Sequence, residues 1–222
     1  MKISNIAFAL SFIWMLTACG GAATETASEP FCKDTSCMTE PIKVVSDAPG
    51  KPFVNVTFKD CKIDSIHSDK SGKGLSSKIV FAEFIPNDIK PSKEAFQIDI
   101  IGSRHAWMRF NDCATGRGYA IKLAFDETGK TQKLTTAINN FDPKYKVADS
   151  LVAYYDNTFI YIQDMHTDKV AQQLLTDVGV RNHDVNQPHS LIDSVNITKE
   201  RIYAKILFEG KTIEHDKALE YK

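Results

Sequence analysis

From about residue 52 onward, short runs of β-branched and aromatic residues alternate with polar residues, and turn-forming residues separate the runs. A two-residue period is typical of β-strands that bury one face, because successive side chains point to opposite faces of a sheet. We predict strands at residues 53–58, 78–85, 95–101, 106–111, 118–125, 133–138, 151–155, 159–163, 191–197, 201–208 and 211–215. Residues 51–222 are therefore predicted to form a mainly β domain of antiparallel hairpins or a meander.

Two features of this pattern leave the architecture open. Between residues 168 and 179, apolar residues recur every three to four positions, which favours a short helix, although the same residues could form the returning strand of a hairpin. The stretches 150–175 and 190–219 repeat strands and turns in a rhythm that resembles a propeller blade. A sandwich or a twisted meander explains the same alternation. The predicted fold class is mainly β, sandwich or propeller-like, with at most one short helix.

The N-terminus has the parts of an export signal. Lys2 is the only charged residue before Cys19, and residues 6–16 form an apolar run that only Ser11 interrupts. A helix that spans a bilayer needs about 20 apolar residues, so the run predicts a signal that is removed rather than a permanent anchor.

The signal, residues 1–18, is followed by a cysteine, and the junction Leu16-Thr17-Ala18-Cys19 resembles the lipobox of bacterial lipoproteins. The resemblance implies cleavage before Cys19, a diacylglyceryl thioether on its sulfur and an N-acyl chain on the new N-terminus. Two or more acyl chains anchor a protein stably to a membrane. Gly20 stands where enterobacterial lipoproteins of the inner membrane carry aspartate, so the outer membrane is the predicted location. The alternative is an ordinary secretory signal in which Cys19 is incidental.

Composition indicates a flexible segment at the start of the mature chain and a net charge close to zero. Residues 19–50 are rich in Gly, Ala, Thr, Ser, Glu and Pro and contain too few large apolar residues to offset the entropy of ordering. We interpret them as a flexible, lipidated tether. Loss of the signal removes one of 27 basic residues and leaves 26 against 28 acidic ones, a formal charge of −2. A chain so close to neutral is a poor partner for nucleic acid, and we predict no cofactor.

The cysteines other than Cys19 are even in number, which in an oxidising envelope predicts two disulfides. These residues are Cys32, Cys37, Cys61 and Cys113. Of the three possible pairings we favour Cys32 with Cys37, inside the tether, and Cys61 with Cys113, because residues 58–61 and 110–113 share the pattern Phe-x-Asp-Cys. The spacing lacks the paired C-x2-C of structural zinc sites, which argues against a site of four thiolates.

Two groups of residues are candidates for a functional site. The loop 181–189 contains His183, Asp184 and His189, whose imidazole nitrogens and carboxylate oxygens suit zinc or another divalent ion. Polar loops collect the same residue types without binding metal. The second group is aromatic and could line a carbohydrate- or peptide-binding face or lie in the core: Trp107, Phe110, Tyr119, Tyr154, Tyr155, Phe159 and Tyr161. If Trp107 is exposed, it is the first choice for a contact residue.

These observations are compatible with three functions. The first is a non-enzymatic envelope lipoprotein, held on the membrane through lipid on Cys19, whose β domain has a structural role or binds an envelope protein or glycan. The second is a periplasmic inhibitor or immunity protein that neutralises a toxin or hydrolase. The third is a metal-dependent hydrolase that uses residues 183–189. The chain has no catalytic signature that outweighs a structural interpretation, so the sequence favours the first.

Overall fold

The computed structural model describes residues 31–34, 36–69, 76–86, 88–125, 129–175 and 183–222. Within these ranges the chain forms β-strands joined by tight turns, a helix of four residues, α1 (Phe81–Phe84), and two 3-10 turns. The strands, in chain order, are β1 (Ile42–Val45), β2 (Phe53–Lys59), β3 (Lys62–Asp69), β4 (Ser76–Val80), β5 (Phe96–Ile101), β6 (His105–Asn111), β7 (Gly118–Ala124), β8 (Gln132–Ile138), β9 (Tyr145–Val147), β10 (Leu151–Tyr155), β11 (Phe159–Asp164), β12 (Val170–Leu174), β13 (Ile192–Ile197), β14 (Arg201–Phe208) and β15 (Lys211–Ala218). The prediction of a mainly β fold with at most one short helix is confirmed.

In the described part of the chain these strands form three sheets. The N-terminal sheet has the order β1-β2-β3-β4, the central sheet β12-β11-β10-β8-β7-β6-β5, and the C-terminal sheet β15-β14-β13-β9. Every pairing among these strands is antiparallel except that of β9 with β13. Strands that follow each other in the chain are mostly neighbours in a sheet, as a hairpin pattern predicts.

The two small sheets cover different halves of the same face of the central sheet. Val54 and Val56 of β2 are fully buried in one core, which also contains Met108 of β6. Ile202 of β14 is fully buried in a second core with Ile162 of β11. In both cores the residues that a strand contributes are alternate ones, since only one face of each strand meets the opposing layer. Full burial of a side chain of this size stabilises the fold by roughly 1.5–3 kcal/mol.

The opposite face of the central sheet, which we call the second face, is strongly concave. His105 lies on β6, and its ring Nε2 is 3.0 Å from the backbone oxygen of Met165, in the turn after β11. Four strand-to-strand steps separate β6 from β11, so a flat sheet would hold these atoms about 19 Å apart or more. Curvature encloses the centre of this face, where Trp107, Ala120 and Val152 pack with Met165.

Gly118 and Asn139 lie where the two halves of the central sheet meet. A Cβ atom on Gly118 would be 2.1 Å from the backbone oxygen of Ala137, so only glycine permits this approach of β7 to β8. The buried side-chain amide of Asn139 donates to the backbone oxygens of Phe110, at 3.1 Å, and Tyr119, at 3.2 Å. The end of β8 is thereby tied to both β6 and β7.

Two disulfides, both among the described residues, join the N-terminal segment to the domain. Cys32 is bonded to Cys113, and Cys37 is bonded to Cys61. The prediction that these four cysteines form two disulfides is confirmed, but the favoured pairing of Cys32 with Cys37 and of Cys61 with Cys113 is wrong. The shared Phe-x-Asp-Cys pattern marks two similar strand ends in different sheets: Cys61 lies in the turn between β2 and β3, whereas Cys113 follows β6.

The segment before β1 contacts the domain from Phe31 onward. The backbone N–H of Phe31 donates to the backbone oxygen of Cys113 at 2.9 Å, and β1 pairs with β2 along its length. The predicted boundary near residue 50 therefore falls inside the turn that joins β1 to β2. Composition does not reveal this, because disulfides supply the stabilisation that this segment's few apolar residues cannot. Residues 19–30 of the predicted tether lie outside the described residues.

The other differences from prediction concern short or ambiguous elements. Residues 170–174 form strand β12, the returning strand of a hairpin with β11, and not the favoured helix, whose remaining residues 176–179 lie outside the described ranges. The predicted strand at 78–85 ends at Val80, where α1 begins. The pattern does not predict β1, β3 or β9. β9 has three residues, and its parallel partner β13 lies far along the chain.

Candidate functional site

The aromatic candidates divide into two groups. Four are core residues with exposed fractions of 0–3%: Trp107, Phe110, Tyr119 and Tyr155. Three are partly exposed: Tyr154, Phe159 and Tyr161. Trp107 is therefore buried, and the contact role that we predicted for it in the case of exposure does not apply. The ammonium of Lys122 lies 6.0 Å from the centre of the Trp107 ring, and the curvature of the second face encloses that ring completely.

The three partly exposed rings, which we call the aromatic ladder, lie together on the second face of β10 and β11. Tyr154 and Tyr161 are directly opposite each other in the strand pairing, and their ring centroids are 4.9 Å apart with planes that differ by 11°. Phe159 precedes Tyr161 by two residues and shares its face; their centroids are 5.9 Å apart and the planes differ by 60°. The two tyrosine rings are thus stacked on each other, and the phenylalanine ring is tilted against Tyr161.

Asp156, in the turn between β10 and β11, fixes the ladder in place. Its Oδ1 accepts hydrogen bonds from the backbone N–H groups of Thr158, at 2.7 Å, and Phe159, at 2.8 Å; its Oδ2 accepts one from the Tyr161 hydroxyl at 2.7 Å. Partial burial opposes ionisation, but these hydrogen bonds outweigh it and lower the pKa of Asp156. The same bond to Asp156 raises the pKa of Tyr161 to about 12. At neutral pH the ladder therefore holds a carboxylate beside a protonated phenol.

Gln172 adds an exposed amide beside the ladder. β12 pairs with β11 so that Gln172 lies opposite Tyr161, and Leu174 lies opposite Phe159. Sequence reasoning missed Gln172 because it favoured a helix for this segment. Asp156 lies between the predicted strands 151–155 and 159–163, and an aspartate that caps a turn is the signal that could have indicated its position.

The centre of the second face carries charges that are already paired. Nη2 of Arg109 is 2.8 Å from Oδ2 of Asp99, and Nζ of Lys122 is 2.7 Å from Oδ1 of Asp168. Nε of Arg109 and Nε1 of Trp107 have no hydrogen-bond partner, but both atoms are buried beyond the reach of an external ligand. This region is a polar core of the concave face, and the ladder is a more accessible part of the same face.

The predicted metal ligand His189 is held by hydrogen bonds at both ring nitrogens. Its Nε2 is 2.7 Å from Oδ2 of Asp142, and its Nδ1 is 3.2 Å from the backbone oxygen of Ile192. Both partners are acceptors, so the doubly protonated ring satisfies both contacts. The hydrogen bond to buried Asp142 accordingly raises the pKa of His189. A metal ligand needs a free lone pair on neutral imidazole, which this arrangement does not offer.

The two other predicted ligands have contacts of their own. The ring of His183 packs 5.5 Å from that of Tyr155, and burial lowers the pKa of His183. Oδ1 of Asp184 accepts the backbone N–H of Asn186 at 2.9 Å. Within the described ranges no three His, Cys, Asp or Glu side chains are placed to hold a metal ion. The site predicted at His183, Asp184 and His189 is therefore not formed, since a cluster in sequence does not fix where side chains point.

Cys19, the predicted site of lipid attachment, lies outside the described ranges, so its role stays a prediction. In the part of the chain that the structure covers, no helix is long and apolar enough to cross a membrane. Comparison of the chain with protein-family models, with curated proteins and with solved structures gives no match. The aromatic ladder and the lipobox-like motif are the two features from which a function can be inferred.

Proposed function

We propose that this chain is a lipoprotein of the bacterial envelope, anchored through lipid on Cys19, whose β domain is a non-enzymatic binding module. The lipobox-like motif supports the anchor. The aromatic ladder supports the binding role and is the observation that carries the proposal. It keeps three rings partly exposed, in fixed positions, on one face of a sheet.

Exposed rings of this kind suit a binding surface for two reasons. Tyrosine combines a large apolar ring with a polar tip, and it is enriched where proteins meet their partners. The hydrogen bond from Tyr161 to Asp156 and the stacking of Tyr154 on Tyr161 already restrict both side chains. Little side-chain entropy is then lost when a partner binds, so more of the contact energy appears as affinity.

In-cell crosslinking of the full chain tests this proposal. The unaltered protein is compared with Cys19→Ser, which cannot carry the lipid, and with the double variant Tyr154→Ala and Tyr161→Ala, which lacks both stacked tyrosines of the ladder. Tyr203→Ala is the matched control, because this tyrosine is also partly exposed but lies on β14 of the C-terminal sheet.

We expect an envelope component, protein or glycan, to be captured by the unaltered protein and by Tyr203→Ala. Capture should fall at least severalfold in both other variants. Unchanged capture by the double variant would contradict the binding role of the ladder. Unchanged capture by Cys19→Ser would contradict the need for an anchor.

A further inference from the structure

We propose that the Cys37–Cys61 disulfide is a redox switch, which a dithiol reductant opens first and whose opening gives access to the Cys32–Cys113 disulfide. Dithiols are the chemical class that reduces disulfides by thiol exchange. The inference makes no use of the aromatic ladder, so it stands or falls separately from the proposed function. It is carried by the exposure of the two disulfides, by the packing of the segment before β1 and by a cavity that contacts both disulfides.

The two disulfides differ in their exposure to solvent. Cys32 and Cys113 are buried, with exposed fractions of 3% and 7%, whereas Cys37 and Cys61 are both exposed. Cys61 is the second residue of the two-residue turn between β2 and β3, at the tip of that hairpin. A thiolate must reach a sulfur atom directly in order to attack it, and exposed disulfides are the labile ones. Reduction of the folded protein should therefore begin at Cys37–Cys61.

The segment just before β1, residues 36–41, is packed loosely, and we call it the strap. The structure describes every residue of the strap, and only Met38 has a buried side chain, 9% exposed. The backbone N–H of Ser36 donates to Oδ1 of Asp34 at 2.8 Å, within the same exposed stretch of chain. Two cavities, of about 350 and 300 Å³, share Ser36 and Cys37 in their walls. Because packing around the strap is incomplete, the exposed disulfide fixes its position.

The larger of these cavities brings the two disulfides into one space. Its walls include Cys37 and Cys61 of the exposed disulfide, Cys113 of the buried one, and Pro91 and Ala114. The strap forms one wall of this cavity and so restricts the approach to Cys113. Once Cys37–Cys61 is reduced, the strap can move away, and a second reductant molecule can reach the buried disulfide through the cavity.

Each reduction is a thiol–disulfide exchange in two steps. A thiolate of the dithiol attacks one sulfur of the disulfide, forms a mixed disulfide and releases the other cysteine as a thiolate. The second thiolate of the reductant then attacks the reductant's own sulfur in the mixed disulfide and releases the remaining cysteine. The reductant leaves as a disulfide, two electrons pass to the protein, and the two protons lost by the dithiol are balanced by those that the new cysteine thiolates take up.

The two reductions loosen different parts of the chain. After the first, the Cys32–Cys113 bond still attaches the N-terminal segment, and the backbone N–H of Phe31 still donates to the backbone oxygen of Cys113 at 2.9 Å. Strand β1 stays paired with β2, so the strap alone is released. The second reduction then removes the remaining covalent attachment of the segment before β1.

Timed reduction of the full chain, purified under oxidising conditions, with dithiothreitol as the dithiol tests this order. Acid stops the exchange, one alkylating reagent labels the thiols formed so far, and a second labels the rest after complete reduction. Mass spectrometry then gives the extent of reduction at each cysteine. We expect Cys37 and Cys61 to be labelled together and about tenfold or more faster than Cys32 and Cys113, which should follow after a lag. Circular dichroism should show intact strands throughout the first phase.

Two variants test the role of the strap. The double variant Cys37→Ser and Cys61→Ser lacks the exposed disulfide from the start, so Cys32–Cys113 should be reduced without a lag and severalfold sooner than in the unaltered protein. Ser36→Ala is the matched control, because it changes the strap but keeps both disulfides, and the lag should remain.

Three outcomes would overturn the inference. The first is reduction of Cys32–Cys113 before Cys37–Cys61 or at the same rate. The second is loss of the circular dichroism signal in step with the first phase, since reduction would then follow unfolding of the whole domain. The third is a lag in Cys32–Cys113 reduction that persists in the double variant. Should that variant fail to fold, the order of reduction in the unaltered protein still decides the first two.

Discussion

The N-terminal and C-terminal sheets each have four strands and cover half of the same face of the central sheet, yet they are attached in different ways. The N-terminal sheet consists of consecutive strands, β1 to β4. Two disulfides link the segment before β1 to the turn between β2 and β3 and to the residue position that follows β6 in the central sheet. The C-terminal sheet takes β9 from far earlier in the chain and pairs it in parallel with β13. It packs through a core that includes Ile202 and Ile206, both fully buried.

The difference separates two sources of stability. Consecutive hairpins lose little chain entropy when they form, since their partners are close in the chain. The segment before β1 has few apolar residues and is held by covalent links. The parallel pairing of β9 closes a long loop, and apolar burial must offset that entropy. The N-terminal half should therefore be sensitive to reduction of the disulfides, and the C-terminal half should be sensitive to loss of core volume.

The largest effect is expected from removing the disulfide that closes the longer loop. Cys32 and Cys113 are 81 residues apart, so the double variant Cys32→Ser and Cys113→Ser should lower the free energy of unfolding by about 4 kcal/mol. Urea titration under oxidising conditions measures this loss. Cys37→Ser with Cys61→Ser, 24 residues apart, is the comparison and should cost about 3 kcal/mol. Equal stability of the unaltered protein and the first variant would show that covalent links do not hold this half.

A core truncation probes the other half of the comparison. Ile202→Ala should lower the free energy of unfolding by about 3 kcal/mol, because this side chain is fully buried between β13, β15 and the central sheet. Ile213→Ala, at a partly exposed position on β15, removes the same atoms and should cost less than half as much. Urea titration with and without reductant should give the same loss for Ile202→Ala. A loss that depends on reductant would mean that the two halves do not separate as described.

The smallest effect concerns pH and the link between the loop before β9 and the loop before β13. The hydrogen bond to Asp142 raises the pKa of His189 in the folded state above the unfolded value of about 6.5. The stabilisation is therefore fully present below about pH 6.5 and is lost as pH rises through the folded-state pKa. Because the His189 side chain is 38% exposed, its size should stay under about 1 kcal/mol.

The measurement is the free energy of unfolding of the unaltered protein minus that of His189→Gln, from about pH 5.5 to pH 9. Subtraction cancels the other titrating groups, including His105 and His183, whose pKa values burial lowers. The difference should shrink as pH rises. A difference that is constant over this range would show that the charge of His189 contributes nothing.

The sequence predicts the strands whose side chains alternate between a core and a second environment. The predicted limits of 151–155 and 201–208 coincide with β10 and β14. It fails where a partner distant in the chain decides the structure. β9 owes its extended form to β13, and β12 owes its place to β11 on one side and Lys222 on the other. The predicted disulfide pairing is wrong for the same reason, because similarity between two local motifs does not indicate which strand ends lie close together.

The candidate site was predictable in part. Tyr154, Phe159 and Tyr161 are among the seven aromatic residues considered, but alternation cannot tell which face of a curved sheet is enclosed. Trp107 shares the second face with the ladder, but it is fully buried in a cluster with Ala120, Val152 and Met165. The role of Asp156 depends on a turn that points one carboxylate oxygen at the backbone N–H of Thr158 and the other at the hydroxyl of Tyr161. Residue type alone does not predict this orientation.

The Cys32–Cys113 disulfide also sets a distance from the membrane. If Cys19 carries the lipid, 32 − 19 = 13 residue steps separate the anchor from the first covalent contact with the domain. At up to about 3.6 Å per residue, Cys32 can then lie at most about 45 Å from the lipid surface. This distance limits how far from the membrane the domain and its aromatic ladder can be held. With both disulfides reduced, strand β1 at Ile42 becomes the first firm attachment, 42 − 19 = 23 steps away. With the lipid anchor that we propose, the same domain would then reach up to about 80 Å, so reduction of the disulfides would nearly double the distance it can cover.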